Sequence, residues 1–146
     1  MGRIAWAALL CGCLAAVSGC ATGGGARRQD DAVKEEIRDR VDAFLTAVMS
    51  KDYGTIRSIV LPGQAQGFNA QVFVEDRFRM RVGRFDLVAW DRLKIQVTPL
   101  RDGSGTLSTG LVTVRDLAAN ETKPLFVNLH WRKHAGQWYI EPFQQR

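Results

Sequence analysis

Leu125-Phe126-Val127-Asn128-Leu129-His130-Trp131-Arg132-Lys133-His134-Ala135-Gly136-Gln137-Trp138-Tyr139-Ile140 is the stretch on which the fold turns. Leu125, Val127, Leu129 and Trp131 take every second place, and Phe126, Asn128, His130 and Arg132 fill the places between. A period of two belongs to an extended strand, whose neighbouring side chains point to opposite faces. Four large apolar residues of one parity demand burial, so that face is inward and the other outward. His134-Ala135-Gly136-Gln137 then reads as a tight hairpin, and Trp138 to Phe143 as the strand that closes the sheet.

Working back from this strand, the same period holds as far as Leu87. Leu93, Ile95 and Val97 alternate with Lys94, Gln96 and Thr98, so these three are expected on the inward face. Asp102-Gly103-Ser104-Gly105 is a turn, Leu107 to Val114 a further strand, and Leu117 to Asn120 a looser connection. Before Leu87 the period lengthens. Val33, Ile37, Val41, Phe44, Leu45 and Val48 form one stripe of a helix from about Asp31 to Ser50, with Asp30 and Asp31 as capping residues. Glu36–Arg40 and Arg38–Asp42 are opposite charges four apart, and this charge run reads as a solvated helix face. A shorter helix from Tyr53 to about Leu61 turns Ile56, Ile59 and Val60 inward, and Pro62-Gly63 ends it. Ala70 to Val82 fits two readings. Val74, Phe78 and Val82 have helical spacing, while Phe78 to Val82 alternates like a strand. We take the helix, with Gly83 as its end. The order is α+β: two or three N-terminal helices packed on a curved antiparallel sheet of about four strands.

The N-terminus reads differently. Met1-Gly2-Arg3 is a short positive start, Ile4 to Ala16 is an apolar run, and Val17-Ser18-Gly19-Cys20 follows. A run of this length is short for a membrane span, which needs about 20 residues, and has the length of a signal-peptide core. The aliphatic–small–small–cysteine order resembles the lipobox of bacterial lipoproteins. That resemblance implies diacylglycerol on the Cys20 thiol, cleavage before it and acylation of the freed amine, so that two or more chains hold the protein to a membrane. The expected organisation is a leader over 1–19, a lipidated cysteine with a Gly-rich flexible tether over 20–30, and one domain over 31–146. Ala21 is not the aspartate that retains such lipoproteins in the inner membrane, so the resemblance implies an outer-membrane anchor facing the periplasm. Cys11 and Cys13 fall in the leader, and no cysteine follows Cys20, so the domain is expected to hold neither disulfide nor thiolate metal site.

Within the domain, three features resemble the nuclear transport factor 2-like superfamily, also called the SnoaL-like or cystatin-like cone fold. The first helix runs into Ala47-Val48-Met49-Ser50-Lys51-Asp52-Tyr53. Ile59-Val60-Leu61-Pro62 ends the second. The closing hairpin from Trp131 to Ile140 carries the W…G-x-W-x-I pattern of exported members. The likeness covers roughly residues 31–143. The superfamily holds isomerase-like and dehydratase-like enzymes together with many non-catalytic binding and assembly proteins, so the fold leaves function open.

Enzymes of this kind place ionisable groups on the inner sheet face, and here parity reserves that face for apolar residues. Asp91 shares the parity of Leu93 and is the one carboxylate expected near a pocket rim. Tyr53 and Trp131 are the other pocket candidates. No acid–base pair, nucleophile motif or phosphate loop is visible, and no catalytic residue is assigned. His130 and His134 lie four apart on a strand, about 13 Å, too far to share one ion, so neither metal nor cofactor is expected. The chain carries +5, and beyond Arg3 its basic residues are spread from Arg27 to Arg146, with one local cluster at Arg77, Arg79, Arg81 and Arg84. No recognition motif accompanies that charge, so nucleic acid is not an expected partner. The outward residues Phe126, His130, Arg132 and Tyr139, with Asn128 and Phe143 beside them, combine rings with donors and form the expected partner surface. The functional expectation is a non-catalytic, membrane-anchored envelope lipoprotein that binds an envelope protein or itself. The alternative is a small pocket enzyme or a carrier for an apolar ligand.

The lipobox reading makes a direct prediction. Cys20→Ala abolishes incorporation of labelled palmitate and removes the protein from the detergent-extracted lipoprotein fraction. Equal labelling of the variant and the parent would refute it.

Overall fold

The first helix buries its apolar stripe as the spacing requires. In the computed structural model, which describes residues 24–101 and 103–142, helix α1 spans Gly24–Ser50. Ile37, Val41, Phe44, Leu45 and Val48 are buried along it, and Val33 packs against the same core. The helix begins at Gly24, seven residues before the expected Asp31, so the later part of the proposed tether is helical. Asp30 and Asp31 therefore lie inside the helix and do not cap it. The leader, Cys20, Asp102 and Phe143 lie outside the described residues.

Helix α2, Tyr53–Ser58, is capped by Asp52, whose carboxylate accepts from the Thr55 backbone N–H and hydroxyl. Ile56, Ile59 and Val60 are buried, as expected. Helix α3, Ala70–Phe78, is capped by Asn69, which accepts from the N–H groups of Gln71 and Val72. The helical reading of this stretch holds, but the helix stops five residues before Gly83. Arg79 adopts a left-handed φ of 52°, and the Val82 N–H turns back to the Glu75 carboxylate at 2.9 Å. The helix expected over Ala70 to Val82 would put Arg77, Arg81 and Arg84 on one side as a basic stripe, and its early end divides them. Arg77 stays on α3, while Arg81 and Arg84 lie on the loop beyond it.

The sheet is antiparallel and curls into a half-barrel around the helices. Its strands are β1 (Phe85–Trp90), β2 (Gln96–Pro99), β3 (Thr106–Asp116), β4 (Glu121–His134) and β5 (Gln137–Ile140). β1 and β2 share one edge of β3, so the sheet is four strands across: β1 or β2, then β3, β4 and β5. Val127, Leu129 and Trp131 are buried, and Phe126 and Asn128 are exposed, which is the expected parity. Ala135 (φ 48°) and Gly136 (φ 81°) form the β4–β5 turn, with the two positive dihedrals that a two-residue hairpin requires. The exit of α2 covers the far edge of β5. The Leu61 N–H donates to Ile140 O, and the Ile140 N–H donates to Ile59 O.

Two further expectations are overturned. Ile95 and Val97 do face the core, but Leu93 is 77% exposed. Arg92–Lys94 form a single 3-10 turn, capped by Asp91, whose carboxylate accepts from the Leu93 N–H. The turn breaks the period of two and rotates Leu93 outward. The charged face of α1 is the second correction. Glu36 does not pair with Arg40, nor Arg38 with Asp42. Glu36 accepts from the Trp138 indole and lies 3.6 Å from the Lys133 ammonium. Asp42 accepts from the Trp90 indole at 2.7 Å, and Arg38 donates to Ile95 O at 3.2 Å. Arg92 reaches both Glu35 and Asp39. Glu35, Glu36 and Asp39 stay exposed, as a solvated face should, but the partners of this face lie largely on the sheet side.

Leu129→Asp places an unpaired carboxylate in the sealed core, and we expect a loss of about 4 kcal/mol or more. That corresponds to a Tm lowered by roughly 15 °C. Gln96→Asp, on the exposed parity, leaves the melting curve within a few degrees. Equal melting of Leu129→Asp and the parent would show that the faces are inverted.

Candidate functional site

The outer face of the sheet carries the residues that sequence parity singled out. Phe126 stands opposite Leu111 on β3, and the two are 64% and 40% exposed. On the next rung of that face, the Thr109 hydroxyl donates to the Asn128 side-chain oxygen at 2.8 Å. Then come Leu107 opposite His130, and Arg132 opposite Tyr139. Phe126, His130, Arg132 and Tyr139 therefore share one face but not one contact. Six strand residues separate Phe126 from Arg132, about 20 Å. The face is a long stripe with an apolar middle and a charged, aromatic end.

That end is held by named bonds. The Arg132 guanidinium lies 2.8 Å from the Glu141 carboxylate, which is mostly buried. The Glu141 N–H donates to His130 O, extending the β5 pairing by one residue. The Tyr139 hydroxyl donates to Gln137 Oε1 at 3.1 Å, and its ring meets His134 edge-on at 6.3 Å. His130 is half-buried. Burial holds its imidazole below the usual histidine value, Arg77 on α3 adds to the effect, and Glu141 opposes it. Among the described residues no group of three or more His, Cys, Asp or Glu is arranged to hold a metal ion. No helix of these residues is long and apolar enough to cross a membrane.

The three pocket candidates are not brought together. Trp131 is sealed in the core, with its indole donating to Ser108 Oγ at 2.7 Å. Asp91 is exposed, caps its own turn and lies 3.6 Å from the Lys94 ammonium. Tyr53 alone borders an opening. It lines an open cleft of about 520 Å³ with Gly54, Arg57, Phe68, Asn69 and Gln71. A second groove of about 390 Å³ lies beyond Phe68, between Val72, Phe73, Arg77 and Pro142. The Arg77 guanidinium sits over the Phe73 ring, 5.1 Å from its centre, and pairs with Asp76. Sequence reasoning missed both openings, because helix packing and not residue pattern creates them. It also missed Leu111. β3 carries apolar residues on both parities, so alternation alone could not tell its faces apart.

His130 gives this surface a pH signature. Its folded-state value lies below its unfolded one, so the unfolded chain takes the proton first as pH falls. The stability contributed by the neutral ring is complete above about pH 6.5 and is lost as pH drops toward the folded value. His130→Asn should flatten the fall in Tm between pH 7.5 and 5.5. An unchanged slope would remove His130 as its source.

No family model and no curated protein matches this chain.

Proposed function

We propose that this protein is a lipid-anchored envelope lipoprotein whose domain, of the nuclear transport factor 2-like cone kind, works as a non-catalytic binding or assembly module. Its anchor is acyl chains on Cys20, its place the periplasmic face of the outer membrane, and its partner an envelope protein or a second copy. The exposed Leu111–Phe126 rung, flanked by the Thr109–Asn128 bond, carries the reading. An aromatic and an aliphatic side chain standing in water on a hydrogen-bonded sheet suit an interface centre, with Arg132, Tyr139 and His130 as its polar margin. The apolar lining of the inner sheet face supports the same reading. Val112, Leu129 and Trp131 are almost wholly buried where a cone enzyme would open its pocket. The helices followed by a curled antiparallel sheet support the family resemblance. A second reading, a carrier of a small apolar ligand, is favoured by the groove beside Phe68 and Phe73.

The test is replacement of Phe126 with serine, and separately of His130 and Tyr139 together with alanine. Self-association and crosslinking to envelope proteins are then measured. Loss of association in either variant, with the melting temperature intact, is expected. Unchanged association in both would remove the outer face, and a turnover abolished by Asp91→Asn would overturn the non-catalytic reading.

A further inference from the structure

Arg77, the first of the arginine cluster, acts on His130, but the other three arginines lie on the loop beyond α3. Met80 and Val82 pack against the core, which leaves Arg79, Arg81 and Arg84 exposed on the loop from α3 to β1. The Arg84 N–H donates to Arg81 O, and Arg84 O accepts from the Leu117 N–H, both at 2.9 Å. The loop is thereby joined to the β3–β4 turn, where Leu117 is 45% exposed and Ala118 and Ala119 are exposed beside it. Arg81 and Arg84 thus lie beside one exposed leucine, with Arg79 two residues earlier on the same loop, and together they form an exposed tip.

Among the described residues, none of these three arginines makes an ion pair or a side-chain hydrogen bond. Most nearby carboxylates are engaged elsewhere. Asp116 accepts from the Ala118 and Ala119 N–H groups and pairs with Lys123 at 3.1 Å, which fixes the turn. Asp86 pairs with Lys51, Asp76 with Arg77, and Glu75 accepts from the Val82 N–H. Glu121, opposite Asp116, is exposed and leaves the tip positive on balance.

We infer that this tip docks on a bilayer surface bearing anionic phospholipid headgroups. Guanidinium forks match phosphate oxygens, and Leu117 enters the interfacial layer between them. A protein partner would call for fixed acceptors or a pocket. A fluid headgroup layer needs only charge and an apolar point, which is what the exposed arginines and Leu117 offer. The inference does not depend on the lipid anchor. Lys51, at the C-terminal end of α1, pairs with Asp86 beside this tip, so the start of α1 lies about 40 Å away along the helix.

The test is flotation of the full chain with phosphatidylcholine vesicles, and with vesicles containing phosphatidylglycerol as well. The ratio of the two partitions cancels any charge-independent binding by the apolar leader. A basic residue near an anionic surface is worth about fivefold, so Arg79→Gln, Arg81→Gln and Arg84→Gln together should lower the ratio roughly 100-fold. Lys34→Gln, Lys94→Gln and Arg101→Gln remove equal charge elsewhere and should lower it far less. For the unaltered chain, salt near 1 M, where screening acts within about 3 Å, should bring the ratio close to unity. The proposal fails if the two triple variants behave alike, if the loop variant keeps the parent ratio, or if salt has no effect. It also fails if polyglutamate binds in a loop-dependent way while the vesicles do not, which would make the tip a site for an acidic protein.

Discussion

Trp131 has to lose its water and still satisfy an indole N–H. Burying the ring is favourable by about 25 cal/mol for each Å² of apolar surface, but an unpaired buried N–H would cancel much of that. Ser108, on the same inner face of β3, supplies the acceptor. The strand beside it must also make room. A side chain at position 105 would place its first carbon 2.3 Å from Trp131 O, so Gly105 has none. Trp131 stands opposite Thr106 on one side and Ile140 on the other. A slip of one residue would bring Arg132 into the core and send Trp131 to solvent. Register, hairpin and choice of face are thus a single constraint.

This explains which parts of the fold were legible in the sequence. The alternation from Leu125 to Arg132, the turn at Ala135-Gly136 and the stripe from Val33 to Val48 each repeat one instruction several times. Leu93 carried only a local pattern. The cap at Asp91 and the reach of Arg92 to Glu35 and Asp39 outweighed it. The end of α3 was set by a Glu75–Val82 bond across seven residues, which no periodicity encodes. Of the candidate site, Phe126, His130, Arg132 and Tyr139 could be assigned to a face by parity alone. Leu111 could not, and neither could the two openings beside Phe68.

The polar side of α1 shows why charge patterns mislead when read singly. Glu36, Arg38 and Asp42 have partners of opposite charge four residues away, and isolated helices are stabilised by such pairs by only a few tenths of a kcal/mol. An indole N–H or a strand carbonyl at the margin of the core offers more, because either group loses water when the layers meet. Trp90 and Trp138 therefore take Asp42 and Glu36 from the partners four residues away, while Arg38 is shared between Ile95 O and Glu35 of its own helix. The same competition fixes the rotation of α1 about its own axis. Three bonds on its flanks leave the apolar stripe no direction but inward.

Phe126 stands outside this economy of burial. The rung that contains it is crossed on the inner side by Gly110 and Val127, and Ile95 lies over Gly110. The core at that level is already filled without Phe126, and parity bars its ring from turning in. Its exposure is therefore not a compromise forced by packing. Leu111 opposite it is under the same freedom, and a polar residue would serve the strand as well at either place, as Thr109 and Asn128 do one rung along. Two apolar side chains, paired across strands where folding does not require them, are the part of this surface that stability leaves unexplained.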